Sequence, residues 1–181
     1  RGWGYQTGGG ANWLDIGGDG AADVVLWGNA DTNRLAYRHR TLGFGLTAGV
    51  GVTGSPRVLL DYSPSSTVWT DFNKDGLPDL VTTWRDPMGF DHSYAYLNYG
   101  TGAVVQVDAG LPSARGHLSV VDFNNDSWPD LLLLASVPRL FRNLGNNTFG
   151  EISNNLPQSA WSSAVWGDLD NDGRSDVVLA A

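Results

Sequence analysis

Four short apolar runs punctuate the chain: Val24-Val25-Leu26-Trp27, Leu80-Val81-Thr82-Thr83-Trp84, Leu131-Leu132-Leu133-Leu134-Ala135 and Val177-Val178-Leu179-Ala180. Each follows directly on an Asp. Runs this short, aliphatic and β-branched without polar alternation, read as strands buried on both faces. A shorter alternating segment precedes each run, at residues 12–15, 67–71, 118–122 and 164–168, and predicts a partner strand. A third strand is expected after the buried one at LAYRHR (35–40), YAYLNYG (94–100) and RLFRNLGNN (139–147). A fourth opens with Phe44-Gly45 or Phe149-Gly150, and Val104 to Val107 fills that place in the middle unit.

Between the first and second strands of every unit lies an acidic loop. The loops read DIGGDGAAD from Asp15, DFNKDGLPD from Asp71, DFNNDSWPD from Asp122 and DLDNDGRSD from Asp168, and they start 56, 51 and 46 residues apart. Four short strands in a repeat of roughly 50 residues is the pattern of a β-propeller blade. The expected fold is therefore an all-β propeller segment of four-stranded antiparallel blades, with the acidic loops joining first to second strands. Residues 1–10 are expected to form the last strand of a preceding blade. Residues 11–64, 65–115 and 116–160 make three full blades, and 161–181 the first half of a fourth. The chain begins with Arg and stops in a second strand, so missing neighbouring sequence or another chain is expected to complete the ring.

Composition supports the all-β reading: 24 Gly, 8 Pro, a single Glu and no sustained helical period. The formal charge is −8, yet 13 of the 19 acidic residues sit in the loops, three in each of the first three and four in the last. They occupy loop positions 1, 5 and 9, and position 3 once. Carboxylates about 4 Å apart repel by roughly 1 kcal/mol per pair in water and about 4 near a protein surface, so such a turn requires a counter-ion. Asp, Asn and carbonyl oxygens suit a hard ion, and a flexible loop suits Ca²⁺ better than octahedral Mg²⁺. The chain has no Cys and no His in any loop, which argues against zinc or copper. An EF-hand is excluded, because position 12 is Leu26, Thr82, Leu133 or Leu179 rather than Glu. No basic patch invites a nucleic acid, and no membrane span or signal peptide is visible.

The Asp-x-Asn/Asp-x-Asp-Gly-x-x-Asp loop, the Leu-Phe-Arg-Asn-x-Gly segment at 140–145 and the Phe-Gly pair together resemble FG-GAP/VCBS repeats, the calcium-binding blades of integrin α-subunit heads and of many secreted microbial proteins and lectins. The resemblance covers nearly the whole chain. It implies three to four Ca²⁺ sites. The implied ligands are Asp71, Asn73, Asp75, the Leu77 carbonyl and Asp79 in the second loop, and Asp168, Asp170, Asp172, the Arg174 carbonyl and Asp176 in the fourth. By the same motif, Asp122, Asn124, Asp126, the Trp128 carbonyl and Asp130 serve the third loop, and Asp15, Asp19 and Asp23 the first. Two loops depart from the pattern. Gly17 removes the position 3 oxygen of the first, and Ser127 replaces the position 6 Gly of the third, where the turn is expected to want φ > 0. The fourth loop, with four carboxylates, is expected to bind most tightly and the first most weakly.

The resemblance implies a calcium-stabilised extracellular module, secreted or at the cell surface, that binds a glycan or an extracellular protein. The alternatives are a non-catalytic scaffold of a larger secreted enzyme or toxin and, further off, a catalytic propeller such as a polysaccharide lyase. No Ser-His-Asp spacing, HExxH or phosphate-cradling loop is present, so the chain is not expected to be an enzyme. Trp13, Trp69 and Trp166 each stand two residues before a loop, where the third repeat has Val120, and are expected to pack between blades. The segment 85–93 reads as an insertion between second and third strands. Together with the connection 53–66, it places the expected ligand surface at the end opposite the calcium loops, with Trp84, Asp86, Phe90, Asp91 and His92 as candidate contacts.

Overall fold

The computed structural model describes residues 10–20, 22–27, 36–38, 64–100 and 104–180. Expectations for residues 1–9, for 35 and 39–40 of the third strand, for Phe44-Gly45 and for 53–63 of the connection 53–66 lie outside them. Among the described residues there is no helix, and thirteen strands form four antiparallel sheets. Blade 1 orders β1 (Gly10–Leu14), β2 (Asp23–Trp27) and β3 (Ala36–Arg38). Blade 2 orders β4 (Pro64–Thr70), β5 (Asp79–Arg85), β6 (Asp91–Asn98) and β7 (Val104–Val107). Blade 3 orders β8 (His117–Val121), β9 (Asp130–Leu134), β10 (Pro138–Asn143) and β11 (Phe149–Ile152). In blade 4, β12 (Ser163–Gly167) pairs with β13 (Asp176–Ala180). Each second strand starts at the last Asp of its loop, so the loop is the connection between the first two strands.

The second strands explain their own apolar runs. Side chains alternate across a strand, and in β5 and β9 both faces meet a neighbouring blade. Leu131 and Leu133 join Phe72, Val81 and Phe149 between blades 2 and 3, whereas Leu132 and Leu134 join Leu140 and Trp166 between blades 3 and 4. In β5, Leu80 faces Ile16 and Tyr96, and Val81 faces the other way. Burying each such side chain contributes about 1.5–3 kcal/mol. Two buried threonines interrupt the run in β5 without loss, because their hydroxyls are paired: Thr82 Oγ1 donates to Ser66 O at 3.2 Å and Thr83 Oγ1 to Gly116 O at 2.7 Å. Gly116 is required there, since an added Cβ would stand 2.1 Å from Leu134 O.

Trp69 and Trp166 pack toward the preceding blade, and Trp166 Nε1 also donates to Ser119 Oγ at 2.9 Å. Val120 packs on the same side of its own sheet. Trp13 departs from the expected packing and is 65% exposed. It occupies the face that Trp69 turns to the blade before it, and among the described residues no sheet covers that face of blade 1. The segment 85–93 is also less of an insertion than its sequence suggests. Residues on either side extend β5 and β6, with Arg85 registered against Asp91, and only residues 86–90 turn the corner.

Candidate functional site

The four acidic loops share one backbone. Positions 4 and 6 both carry positive φ throughout: Gly18 and Gly20 at 67° and 81°, Lys74 and Gly76 at 60° and 90°, Asn125 and Ser127 at 59° and 67°, Asn171 and Gly173 at 62° and 83°. These left-handed residues aim consecutive amides at the first Asp. The position 5 amide donates to one of its oxygens at 3.0 Å in loops 1, 2 and 4 and 3.1 Å in loop 3. The position 6 amide donates to the other at 2.6–2.9 Å. Position 3 repeats the device in loops 2 to 4, where Asn73, Asn124 and Asp170 Oδ1 accept from the position 5 amide. Position 5 then accepts from position 7, so the Leu77, Trp128 and Arg174 amides donate to Asp75, Asp126 and Asp172 at 2.9 Å.

In loops 2 and 3 the last carboxylate is buried, and in loop 4 it is half-buried. Asp79 and Asp130 are 0% exposed. Each accepts from the position 2 amide and from the amide of an Asn in the third strand: Phe72 N at 3.2 Å and Asn98 N at 2.9 Å for Asp79, Phe123 N at 3.3 Å and Asn143 N at 2.8 Å for Asp130. Even so, burial, helped by neighbouring loop aspartates, pushes both carboxyls up to about 6. In loop 4, carboxylate oxygens of Asp168, Asp170 and Asp176 lie within 4.8 Å of one another. The chemistry these loops offer is an all-oxygen donor set with surplus negative charge. The side chain of Asp23 lies outside the described residues, so loop 1 is seen only at Asp15 and Asp19.

A family model for the FG-GAP-like repeat matches residues 71–133 and 122–179. Each match runs from the first Asp of one acidic loop through the buried strand after the next, and together they span more than half of the chain. The chain belongs to the FG-GAP-like repeat family. No curated protein matches it at a significant level.

Within this FG-GAP array the loops are unequal. In loop 3, Arg142 reaches Asp126, Nη2 to Oδ2 at 3.0 Å, and the Trp128 amide followed by Arg142 holds that carboxyl below its usual range. A protein cation thus already stands at one of the loop's oxygens. Side chains also cross between loops. Lys74 Nζ lies 4.3 Å from the Trp128 ring centroid, and Asn125 Nδ2 donates to Gly173 O at 2.9 Å. Sequence reasoning missed both these contacts and the left-handed position 4, although Gly18, Asn125 and Asn171 at that position were a readable sign of it.

The opposite end of the FG-GAP sheets carries the expected ligand residues, with one correction. Trp84 is buried, 6% exposed, with its ring stacked on His92 at 4.3 Å. It pairs across the strands with His92 and turns into the sheet packing, so it offers no surface to a ligand. The hairpin tip exposes Phe90 and Met88. Behind it Arg85 and Asp91 form a two-pronged ion pair at 2.7 and 3.0 Å, which lowers Asp91 and raises Arg85. Asp86 Oδ2 meets His92 Nε2 at 3.1 Å, and Tyr94 Oη lies 3.2 Å from His92 Nδ1. At the same end of blade 3, an open groove of about 780 Å³ is lined by Arg139, Glu151, Asn154, Asn155, Leu156 and Gln158 among others. Arg139 Nε and Glu151 Oε1 pair there at 2.7 Å.

Proposed function

We propose that this FG-GAP segment is a calcium-stabilised extracellular recognition module, with the acidic loops as structural staples and the opposite end as the ligand-facing surface. The carrying observation is the convergence of Asp168, Asp170 and Asp176 in loop 4, on a backbone that loops 1 to 3 repeat. The donor set fits a hard cation: Asp71, Asn73, Asp75, the Leu77 carbonyl and Asp79 in loop 2, and their counterparts in loops 3 and 4. Bound there, calcium would supply the counter-charge for carboxylates that burial and mutual repulsion disfavour. This chain's own residues preorganise the loop, through the left-handed pairs at positions 4 and 6 and the amides that orient each carboxylate.

Thermal unfolding of metal-stripped and calcium-loaded protein tests the staple. Each site filled at ten times its Kd adds about 1.4 kcal/mol, so excess EGTA should lower the melting temperature substantially. An unchanged curve after confirmed metal removal rules the staple out. For recognition, the surface around Phe90 and the groove at Arg139 and Glu151 supports a glycan ligand, since carboxamides and an ion pair beside apolar side chains suit hydroxyl-rich rings. A glycan array probed with the wild type and with a Phe90→Ala, Glu151→Gln variant checks it. Binding lost only in the variant supports this surface, and equal binding by both removes it. A protein ligand captured by this end in place of a glycan would keep the module and change its partner.

A further inference from the structure

We infer that Asn98 and Asn143 are positioning residues that wire the acidic loops in series, so that ordering one loop around its cation favours the next; the inference rests on the calcium reading above. Both are the last residue of a third strand, and both are buried, at 0% and 2% exposure. Each makes the same four hydrogen bonds. Asn143 Nδ2 donates to Phe72 O of loop 2 at 2.8 Å and to Pro129 O of its own loop 3 at 3.1 Å. Its amide donates to Asp130 at 2.8 Å, and its Oδ1 accepts from Gly145 N at 2.9 Å. One blade earlier, Asn98 Nδ2 donates to Ile16 O of loop 1 at 2.9 Å and to Pro78 O of loop 2 at 3.0 Å, its amide donates to Asp79 at 2.9 Å and its Oδ1 accepts from Gly100 N at 3.0 Å.

The two sets join end to end. Ile16 O is held by Asn98, whose amide holds Asp79. Asp79 accepts from Phe72 N, and Phe72 O is held by Asn143, whose amide holds Asp130. Phe72 is therefore held at its N–H by the last Asp of its own loop and at its C=O by the third strand of the next blade. Only a carboxamide of this length carries the two donors and the acceptor that the position uses; Asp lacks the donors, and Gln adds a methylene that the packed site has no room for. A loop fixed around a cation fixes the carbonyl at its second position, and the following loop then has less freedom to lose when it orders. That is a coupling free energy between sites, and it acts equally in both directions.

Site-resolved calcium titration of the metal-stripped protein, followed by amide NMR at Gly76 for loop 2 and Ser127 for loop 3, tests the wiring. In the wild type both amides should follow isotherms steeper than single-site binding. Asn143→Asp keeps the oxygen facing Gly145 and loses both donors. It should return the Ser127 isotherm to single-site form, leave Gly76 with only the coupling to loop 1 that Asn98 carries, and weaken loop 3 by about 10- to 100-fold, as replacing outer partners of metal ligands does. Asn98→Asp, read at Gly20 and Gly76, repeats the test one blade earlier, and the wild-type isotherms need no variant. Independent single-site isotherms in the wild type overturn the coupling and leave the calcium reading standing. Absence of any calcium-dependent shift overturns both. A steep Ser127 isotherm that survives Asn143→Asp removes the role assigned to Asn143.

Discussion

At the scale of single residues, two backbone positions shape every acidic loop, and the sequence discloses them unevenly. Position 6 is legible because Gly fills it in three loops and Ser127 stands out. Position 4 is blurred by Lys74, a residue with no preference for φ = 60°, although Gly18, Asn125 and Asn171 hint at it. A left-handed non-Gly residue costs about 1–2 kcal/mol, and Gly gives back about 0.4–1 through the freedom of the unfolded chain. Ser127→Gly should therefore stabilise the protein by about 0.5–1 kcal/mol, seen as a higher denaturant midpoint at fixed calcium. Lys74→Gly relieves the same strain but loses the ammonium 4.3 Å from Trp128, worth about 0.5–1 kcal/mol at an exposed site, so it should stay close to wild type. A destabilised Ser127→Gly would place the fault in the φ argument. At Gly18, φ = 67° and an added Cβ would meet Leu77 Cδ2 at 2.7 Å, so Gly18→Ala should be the damaging substitution of the set.

At the scale of elements, the second strands were legible as short apolar runs, and β5 and β9 show why: each is packed on both faces between two neighbouring sheets. The third strands were legible in place but not in extent. Sequence marks residues 85–93 as an insertion, whereas pairing of Arg85 with Asp91 and of Trp84 with His92 draws all but 86–90 into β5 and β6. No local signal separates a hairpin extension from a loop when the residues are Arg, Asp, His and Ser, since cross-strand partners decide it. The reassigned Trp84 yields a prediction. If its ring is core, Trp84→Ala should cost about 3–5 kcal/mol of stability, comparable with other large aromatic truncations. Leu132→Ala, at a residue 0% exposed, should cost about 2–5 kcal/mol. Equilibrium denaturation measures both. A Trp84→Ala protein with wild-type stability but lost ligand binding would return that ring to the recognition surface.

At the scale of the whole molecule, the array of FG-GAP units was legible from the spacing of its loops, and the way those loops touch was not. Asn98, Asn143, Lys74 and Asn125 read as ordinary strand and turn residues, because their partners lie one repeat away and no local pattern points there. The distribution of charge among the loops follows the same rule. Counting side-chain oxygens ranks loop 4 first by its fourth carboxylate and loop 1 last by Gly17, but leaves loops 2 and 3 separated only by Ser127. The fold adds Arg142, in the strand position held by Leu97 one blade earlier, 3.0 Å from Asp126. A cation entering loop 3 must compete with that guanidinium for an oxygen. The pair is half exposed, so its worth is at most about 0.2–1 kcal/mol, or up to roughly a five-fold change in affinity. Arg142→Leu should raise calcium affinity at loop 3 by about two- to five-fold, read at the Ser127 amide, and leave the Gly173 amide of loop 4 on its wild-type isotherm. Weaker binding at loop 3 in Arg142→Leu would show that the guanidinium organises the loop rather than competing for it.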